Sequence, residues 1–328
     1  MIPNYWYAIL RARDLGRRRP VAVTRFGKRM VIWRGCDGHV TGLPDRCSHR
    51  GALLSRGRIR DRCIECPYHG LRFDVDGRCV LIPANGGHTV VPPGFDIEPL
   101  RLREEHGLIW YWYGDAAPAE DVPWFDDAYE EGGRTYSYAL TVDLPFMRVM
   151  ENLHDFHHVP FVHPWTAPGF GACVDFTAEA EGDLIRFAAT YRYEGGPAWY
   201  KPAISLSAIS RLPSMVMFEE VSGVNFHASV TPVDETRCWL WARYHQRYLP
   251  GWLGGRQLAR LIAAYDFGMV FKKGDVPTMR SQMDPAGDIS GYRLFHADRA
   301  ISLYFGIVKR TMESPAHPAR TMESGFDV

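Results

Sequence analysis

The sequence predicts an α+β protein of two domains, an all-β N-terminal third followed by a larger domain with an antiparallel sheet and helices. Three observations predict it. At 328 residues the chain is long enough for two domains of roughly 100–200 residues each. Its first third reads as short strands divided by turn signals. The remainder carries a series of alternating apolar and polar runs, with helical patterns before and after them.

In the first domain, taken as residues 1–115, Val21–Phe26 and Arg29–Arg34 flank Gly27-Lys28 as a hairpin. Gly107–Tyr113 is a further strand, and turns fall at Pro44-Asp45, Asp76-Gly77 and Pro92-Pro93-Gly94. Residues 116–133, rich in Asp, Glu, Pro and Ala, read as a linker pinned to an apolar surface by Trp124-Phe125. The second domain, 134–328, opens with a strand over Arg134–Asp143. Pro145 then starts a helix through Phe146–His158, because proline at the first helical position loses no needed N–H. Five strands follow, over Leu184–Tyr193, Ala203–Ser210, Ser214–Val221, Asn225–Val233 and Arg237–Tyr248. A long helix is expected over Leu253–Phe271, where Leu258, Leu261, Ile262 and Tyr265 recur at helical spacing.

Hydrophobic residues make up 46% and charged residues 23%, as in a globular protein. Lys+Arg and Asp+Glu balance at 38 each, so global charge gives no case for nucleic acid or an anionic membrane as partner. The basic run Arg11–Arg19 is a solvated loop or a docking patch for an acidic protein. No basic segment followed by an apolar one opens the chain, and no run of about 18 apolar residues occurs, so neither a signal peptide nor a membrane span is expected and the compartment is taken as cytoplasmic. Cys36, Cys47, Cys63, Cys66, Cys79, Cys173 and Cys238 are an odd set, and five of the seven lie between positions 36 and 79. Such clustering favours metal binding over a disulfide framework.

Two constellations carry chemistry. The first is Cys47-Ser48-His49, then sixteen residues, then Cys66-Pro67-Tyr68-His69-Gly70. Two thiolates can hold one iron of a [2Fe–2S] cluster and two neutral imidazoles the other, which raises its potential above that of an all-Cys cluster. A Cys2His2 zinc site uses the same ligand types, although this spacing is not that of a zinc finger. The second lies in Glu151–His163. Two histidines and a carboxylate on one face of Fe(II) leave the other face open for O2. His154 and His158, four apart, could instead share a helix face as in zinc hydrolases. The pattern N-x2-D-x2-H-x4-H picks out Asn152, Asp155, His158 and His163.

Pro44–Ala52 and Cys66–Phe73, with Val80–Ala84 after them, closely resemble the two loops of Rieske domains. The downstream Asn–Asp–His–His pattern resembles the mononuclear-iron motif of Rieske oxygenases. The resemblance covers most of the chain, and implies a Rieske domain followed by a helix-grip (START-like) catalytic domain. It implies Cys47, His49, Cys66 and His69 as cluster ligands and His158 and His163 as Fe(II) ligands. Asp275 is implied as the third Fe(II) ligand, within Val270–Pro277 and ahead of Gln282, with Asp266 and Asp284 as fallbacks; here Gly274 replaces the family's usual Glu. Asp155 is implied to bridge His69 of a neighbouring subunit to His158, while His154 and His157 are expected to face solvent or to support the ligands. Ala52 and Tyr68 stand where quinol-oxidising Rieske proteins carry a disulfide, which implies a low-potential cluster, with Cys63 and Cys79 as packed thiols.

The implied protein is the single-subunit terminal oxygenase of a multicomponent system. NAD(P)H would supply electrons through a separate reductase, and a ferredoxin where one intervenes; no Gly-rich dinucleotide fingerprint occurs in this chain. A head-to-tail homotrimer is implied. The expected reaction is monooxygenation of a bulky, largely apolar organic molecule, with oxidative O- or N-demethylation as the variant on the same scaffold and an electron carrier without mononuclear iron as the rival of another class. The pocket is expected against Ala203–Val221, Asn225–Trp241 and the loop after His163, with Phe218, Phe226, Trp239 and Trp241 as candidate walls and Gly169–Cys173 as a mobile mouth.

Overall fold

A computed structural model describes residues 1–313 except 36, 88–89, 126–133, 165–168, 196–198, 200–201, 222 and 283–288. Cys36, Asp284 and the second half of the expected linker lie outside the described residues. The chain divides into two units. One is Pro3–Val122; the other comprises the described residues from Pro123 onward together with Met1–Ile2.

The first unit is all β. Its strands are β1 (Tyr5–Arg11), β2 (Val21–Arg25), β3 (Lys28–Arg34), β4 (Val40–Pro44), β5 (Arg58–Arg60), β6 (Cys63–Glu65), β7 (Arg72–Phe73), β8 (Cys79–Leu81), β9 (Leu102–Glu105) and β10 (Leu108–Tyr113). They pair antiparallel in three small sheets, β1-β10-β9, β2-β3-β4 and β5-β6-β7-β8. The hairpin between β2 and β3 turns at Phe26 and Gly27, both at positive φ (56° and 69°), the backbone that matches the twist of paired strands. Beneath the loops that carry Cys47 and Cys66, a core of Trp33, Leu43, Leu54, Ile64, Leu71, Phe73 and Cys79 is closed from solvent. Fully burying one such aromatic contributes about 2–3 kcal/mol. The loops therefore stand on a packed platform.

The second unit is built on β11 (Thr135–Val142), β12 (Phe170–Glu181), β13 (Leu184–Tyr193), β14 (Ala203–Arg211), β15 (Met215–Val221), β16 (Val224–Pro232) and β17 (Cys238–Gln246). They form one antiparallel sheet in the order β11-β17-β16-β15-β14-β13-β12. Helices α1 (Phe146–Leu153), α2 (Val159–Val162), α3 (Gly255–Tyr265), α4 (Val276–Ser281) and α5 (Arg299–Glu313) complete it. Between α3 and α4 the chain runs as a π-helical segment, Asp266–Asp275. Period-two alternation gives the sheet two distinct faces. Along β17, Trp241 goes to the side where Trp124 lies, with ring centroids 6.1 Å apart. Trp124 also stacks on His227 of β16 at 5.4 Å. Leu240, Ala242 and Tyr244 go to the other side.

The structure corrects two expected elements and adds two. The helix from Phe146 ends at Leu153, not His158, because Asp155 Oδ1 takes the backbone N–H groups of His157 (2.7 Å) and His158 (3.3 Å). Such a side-chain turn competes with the helical ladder. The helix expected over Leu253–Phe271 starts at Gly255, after Gly254 at φ 86°, and widens into the π-helical segment at Asp266. Strand β12 and helix α5 are additions. The spacing of Ile301, Tyr304, Phe305 and Val308, all buried, marks α5.

Candidate functional site

The two Cys–His loops of the first unit have the same local construction. Cys47 N–H donates to Ala52 O (2.8 Å), and Gly51 N–H to Cys47 O (2.9 Å); Cys66 N–H donates to Leu71 O (2.8 Å), and Gly70 N–H to Cys66 O (3.1 Å). Gly51 and Gly70 occupy matching positions with φ of 75° and 72°, a conformation that suits glycine. The shared Cys-x3-Gly spacing was the sequence signal for Gly51. Each loop presents a thiol inward and an imidazole outward. Cys47 and Cys66 are 2% exposed, whereas His49 and His69 are exposed and their ring centroids lie 4.7 Å apart. Burial pushes the Cys47 thiol up to about 11, the N–H groups of His49 and Arg50 pull the other way, and Cys66 beside it adds to the rise. Two adjacent buried thiols capped by two adjacent imidazoles fit the asymmetric donor set of a Rieske [2Fe–2S] cluster. Cys79 is buried in the core, Cys63 is half-buried, and both are free thiols. Tyr68 is exposed and lies against His69, centroids 3.8 Å apart.

In the second unit His158, His163 and Asp275 converge. One ligand atom from each lies within 4.8 Å of the others. Nε2 of His163 is 2.8 Å and Nε2 of His158 is 3.2 Å from the same Asp275 oxygen, Oδ1. The break after Leu153 and the short α2 set the two histidines. The π-helical segment brings Asp275 to them from the far end of the chain. Burial opposes charge on His158, yet Asp155 and Asp275 outweigh it and hold its pKa up to about 9. Burial likewise works against Asp275 and Asp155, and their histidine partners more than offset it, so both carboxyls sit below their usual range. Two nitrogens and one carboxylate, in a field that favours positive charge, fit a divalent cation such as Fe(II).

Gly274 explains itself here. A Cβ at this position would lie 2.6 Å from Cε1 and 2.7 Å from Nδ1 of His163. The residue that departs from the family pattern is the one against which the imidazole rests.

Asp155 is fixed by its own turn, with Oδ2 facing His158 Nδ1 at 3.5 Å and the side chain 29% exposed. Asn152 lines the cavity next to these groups. Glu151 is buried on α1, paired with Arg148 (3.0 Å), and accepts from Gln282 Nε2 (3.4 Å). It thereby ties α1 to the end of α4.

The cavity holds about 300 Å³. Leu206, Phe218, Val224, Phe226, Leu240 and Ala242 line it on the sheet side, and Phe156, Ile262 and Phe271 are among the residues opposite. Phe218 and Phe226 stack at 4.2 Å. Trp239 and Trp241 are not among its walls, because alternation along β17 turns them to the other face. Phe170–Cys173 opens β12 and does not line the cavity, so the expected mobile mouth is a strand end. Residues 165–168, in the loop after His163, lie outside the described residues.

His154 does not face solvent. It is wholly buried, with Nδ1 2.6 Å from Met150 O and Nε2 2.9 Å from Ser210 Oγ. Met150 O can only accept, so Nδ1 carries the proton and Nε2 accepts from Ser210. His154 and His158 consequently share no face, which removes the paired-histidine arrangement of zinc hydrolases. Burial holds the His154 pKa down to about 4. Its folded pKa is depressed, so its contribution is intact above the unfolded value of about 6.5 and is lost as pH falls toward about 4. Acidification over that window is expected to cost about 2–4 kcal/mol through this residue. Urea titrations of the wild type and His154→Phe at pH 7.5 and 4.5 check it: the variant should show a smaller drop in stability between the two pH values.

Residues 5–93 match the family model of the Rieske [2Fe-2S] domain. The chain is similar to a putative toluene-4-sulfonate monooxygenase system iron-sulfur subunit of Comamonas testosteroni, at 38% identity over 51% of this chain and 47% of the relative. It is also similar to aminopyrrolnitrin oxygenase of Pseudomonas fluorescens, at 35% identity over 48% of this chain and 45% of the relative. The chain thus spans about half the length of these curated relatives. Among solved structures, dicamba monooxygenase bound to dicamba superposes with a TM-score of 0.76 at 21% identity, covering 95% of this chain and 98% of that one. Pseudomonas putida NdmA with caffeine gives 0.74 at 22% identity, covering 93% and 90%. No helix among the described residues is long and apolar enough to cross a membrane. The chain therefore carries a Rieske [2Fe–2S] domain and has the fold of dicamba monooxygenase and NdmA.

Proposed function

We propose that this protein is the terminal oxygenase of a multicomponent Rieske system, hydroxylating a bulky, largely apolar organic substrate. The observation that carries the reading is the convergence of His158, His163 and Asp275 on the wall of an apolar cavity of about 300 Å³. In this reading residues 1–115 hold the cluster through Cys47, His49, Cys66 and His69, residues 116–133 connect, and residues 134–328 hold Fe(II) and substrate. When bound, the two iron groups supply stored electrons and activation of O2 at the open face of a two-histidine, one-carboxylate site.

The chain's own residues do the rest. Asp155 orients His158 through Nδ1 and has an exposed edge with which to accept an N–H from His69 of the partner subunit. A head-to-tail homotrimer would supply that partner, since a heterologous interface closes by rotation. Asn152 lines the same cavity as the metal trio. The stacked Phe218 and Phe226 offer a flat apolar wall that orients an aromatic body and excludes water. Electrons would come from NAD(P)H through a separate reductase, with a ferredoxin where one intervenes. Removal of an O- or N-methyl group follows the same course when a methyl carbon is the one hydroxylated.

A substrate-dependent O2-uptake screen with a surrogate reductase, with mass spectrometry of the products, tests the reading. Uptake coupled to a product one oxygen heavier, or one methyl lighter, is expected. Reduction of the cluster with no coupled uptake across a broad aromatic panel contradicts it.

A further inference from the structure

Besides the metal trio, Asn152 and Asp155, the polar groups of the cavity wall are Tyr138, Tyr244, Asp266 and Tyr265. Three of them form a chain. Tyr244 donates its hydroxyl proton to Asp266 Oδ2, and its oxygen lies 3.4 Å from that of Tyr138. With the Tyr244 proton committed to the carboxylate, Tyr138 must be the donor in that second contact. Both phenolic protons thus run toward Asp266. Among the described residues no group meets the second carboxylate oxygen of Asp266.

The donor and acceptor count decides what this corner of the cavity wants. Its hydroxyl protons are spent, its open valence is a carboxylate lone pair, and among the described residues no lysine or arginine lines the cavity. Burial lifts the Asp266 pKa to about 6, opposed by the Tyr244 hydrogen bond and helped by Asp275, so the carboxylate is mostly ionised at neutral pH. An acceptor of this kind, half-buried on a largely apolar cavity wall, favours a ligand that brings a donor and penalises one that leaves it unmet.

Resting on the reading of the cavity as the substrate site, we propose that Asp266, held by Tyr244 and Tyr138, is a specificity-determining residue that recognises an N–H or O–H donor on an otherwise apolar aromatic substrate. The π-helical segment makes this possible. Asp275 lies nine positions after Asp266, about two and a half turns of an α-helix, which would put them on opposite faces. The wider π-helix brings the same nine positions to about two turns, and both side chains line one cavity. One element therefore sets the anchor and a member of the metal trio together.

The test measures binding of three near-isosteric probes to the iron-loaded protein by ligand-observed NMR. Indole has the donor, indene replaces it with CH2, and 1-methylindole blocks it. The wild type is expected to bind indole about ten-fold or more tightly than either of the others. Asp266→Leu should abolish that preference while indene binds as before or better. Asp266→Asn keeps an acceptor and should retain part of the preference, which guards against misfolding as the cause. Indole and indene binding within two-fold of each other in the wild type overturns the inference alone, as does an unchanged preference in Asp266→Leu. Failure of all three probes to bind overturns it together with the reading of the cavity.

Discussion

Gly274→Ala should lower iron affinity at the mononuclear site by about 100-fold or more while the cluster spectrum stays unchanged. Glycine to alanine within a helix ordinarily stabilises by about 0.5–1 kcal/mol. Here the added methyl would sit 2.6 Å from Cε1 of His163. Val162 Cγ1 is 3.3 Å from the same point, so the new atom has little room on that side. The imidazole must give way, and it is one of the three groups proposed to hold the metal. Even substitutions that disturb ligand supports, leaving the ligands themselves in place, cost about 10–100-fold in metal affinity. Gly274→Glu, which restores the residue usual in the family, should be worse in this chain. Iron titration of the apo protein with colorimetric quantitation reads the effect, and near-normal loading of Gly274→Ala would contradict the close approach.

Asp155→Asn should keep both iron groups yet lose turnover by about 100-fold or more. The amide oxygen can still accept from the His157 and His158 backbone N–H groups, so the turn that ends α1 is preserved. What changes is the atom facing His158 Nδ1 at 3.5 Å. An acceptor becomes an NH2 donor, which cannot receive an N–H from His158 or from His69 of the partner subunit. In the proposed assembly the two imidazoles would lose their common carboxylate, and with it the orientation that such partners impose on metal-bound histidines. Rapid mixing of the reduced variant with O2 and substrate separates this from iron loss: the cluster should stay reduced far longer than in the wild type. Wild-type turnover in Asp155→Asn would remove the bridging role.

Much of this was legible in the sequence, because the informative features are local. The two Cys–His loops each fit within a few residues, and strand alternation marks all of the sheet except β12. The hairpin before β3 follows from Gly27, although the turn falls on Phe26-Gly27, one residue earlier than Gly27-Lys28. What was not legible depends on breaks in periodicity. His154 and His158 look like neighbours on one helix face until Asp155 diverts the backbone, which sends one to Ser210 and the other to Asp275. Trp239 and Trp241 look like pocket walls by composition, yet alternation gives that place to Leu240 and Ala242. Asp266 read only as a fallback metal ligand, because a π-helical segment has no simple signature in residue spacing. Gly274 read as a departure from a pattern, since a close approach by His163 is visible only in three dimensions.

The central claim is that this chain holds two distinct iron groups, and iron stoichiometry tests it most directly. Purified, reconstituted protein should hold about three Fe per chain, two in the cluster and one at His158, His163 and Asp275. His163→Ala should fall to about two with the Rieske spectrum intact, and Cys66→Ser to about one. A wild type that saturates at about two Fe per chain, unchanged in His163→Ala, would contradict the account and leave an electron carrier in its place.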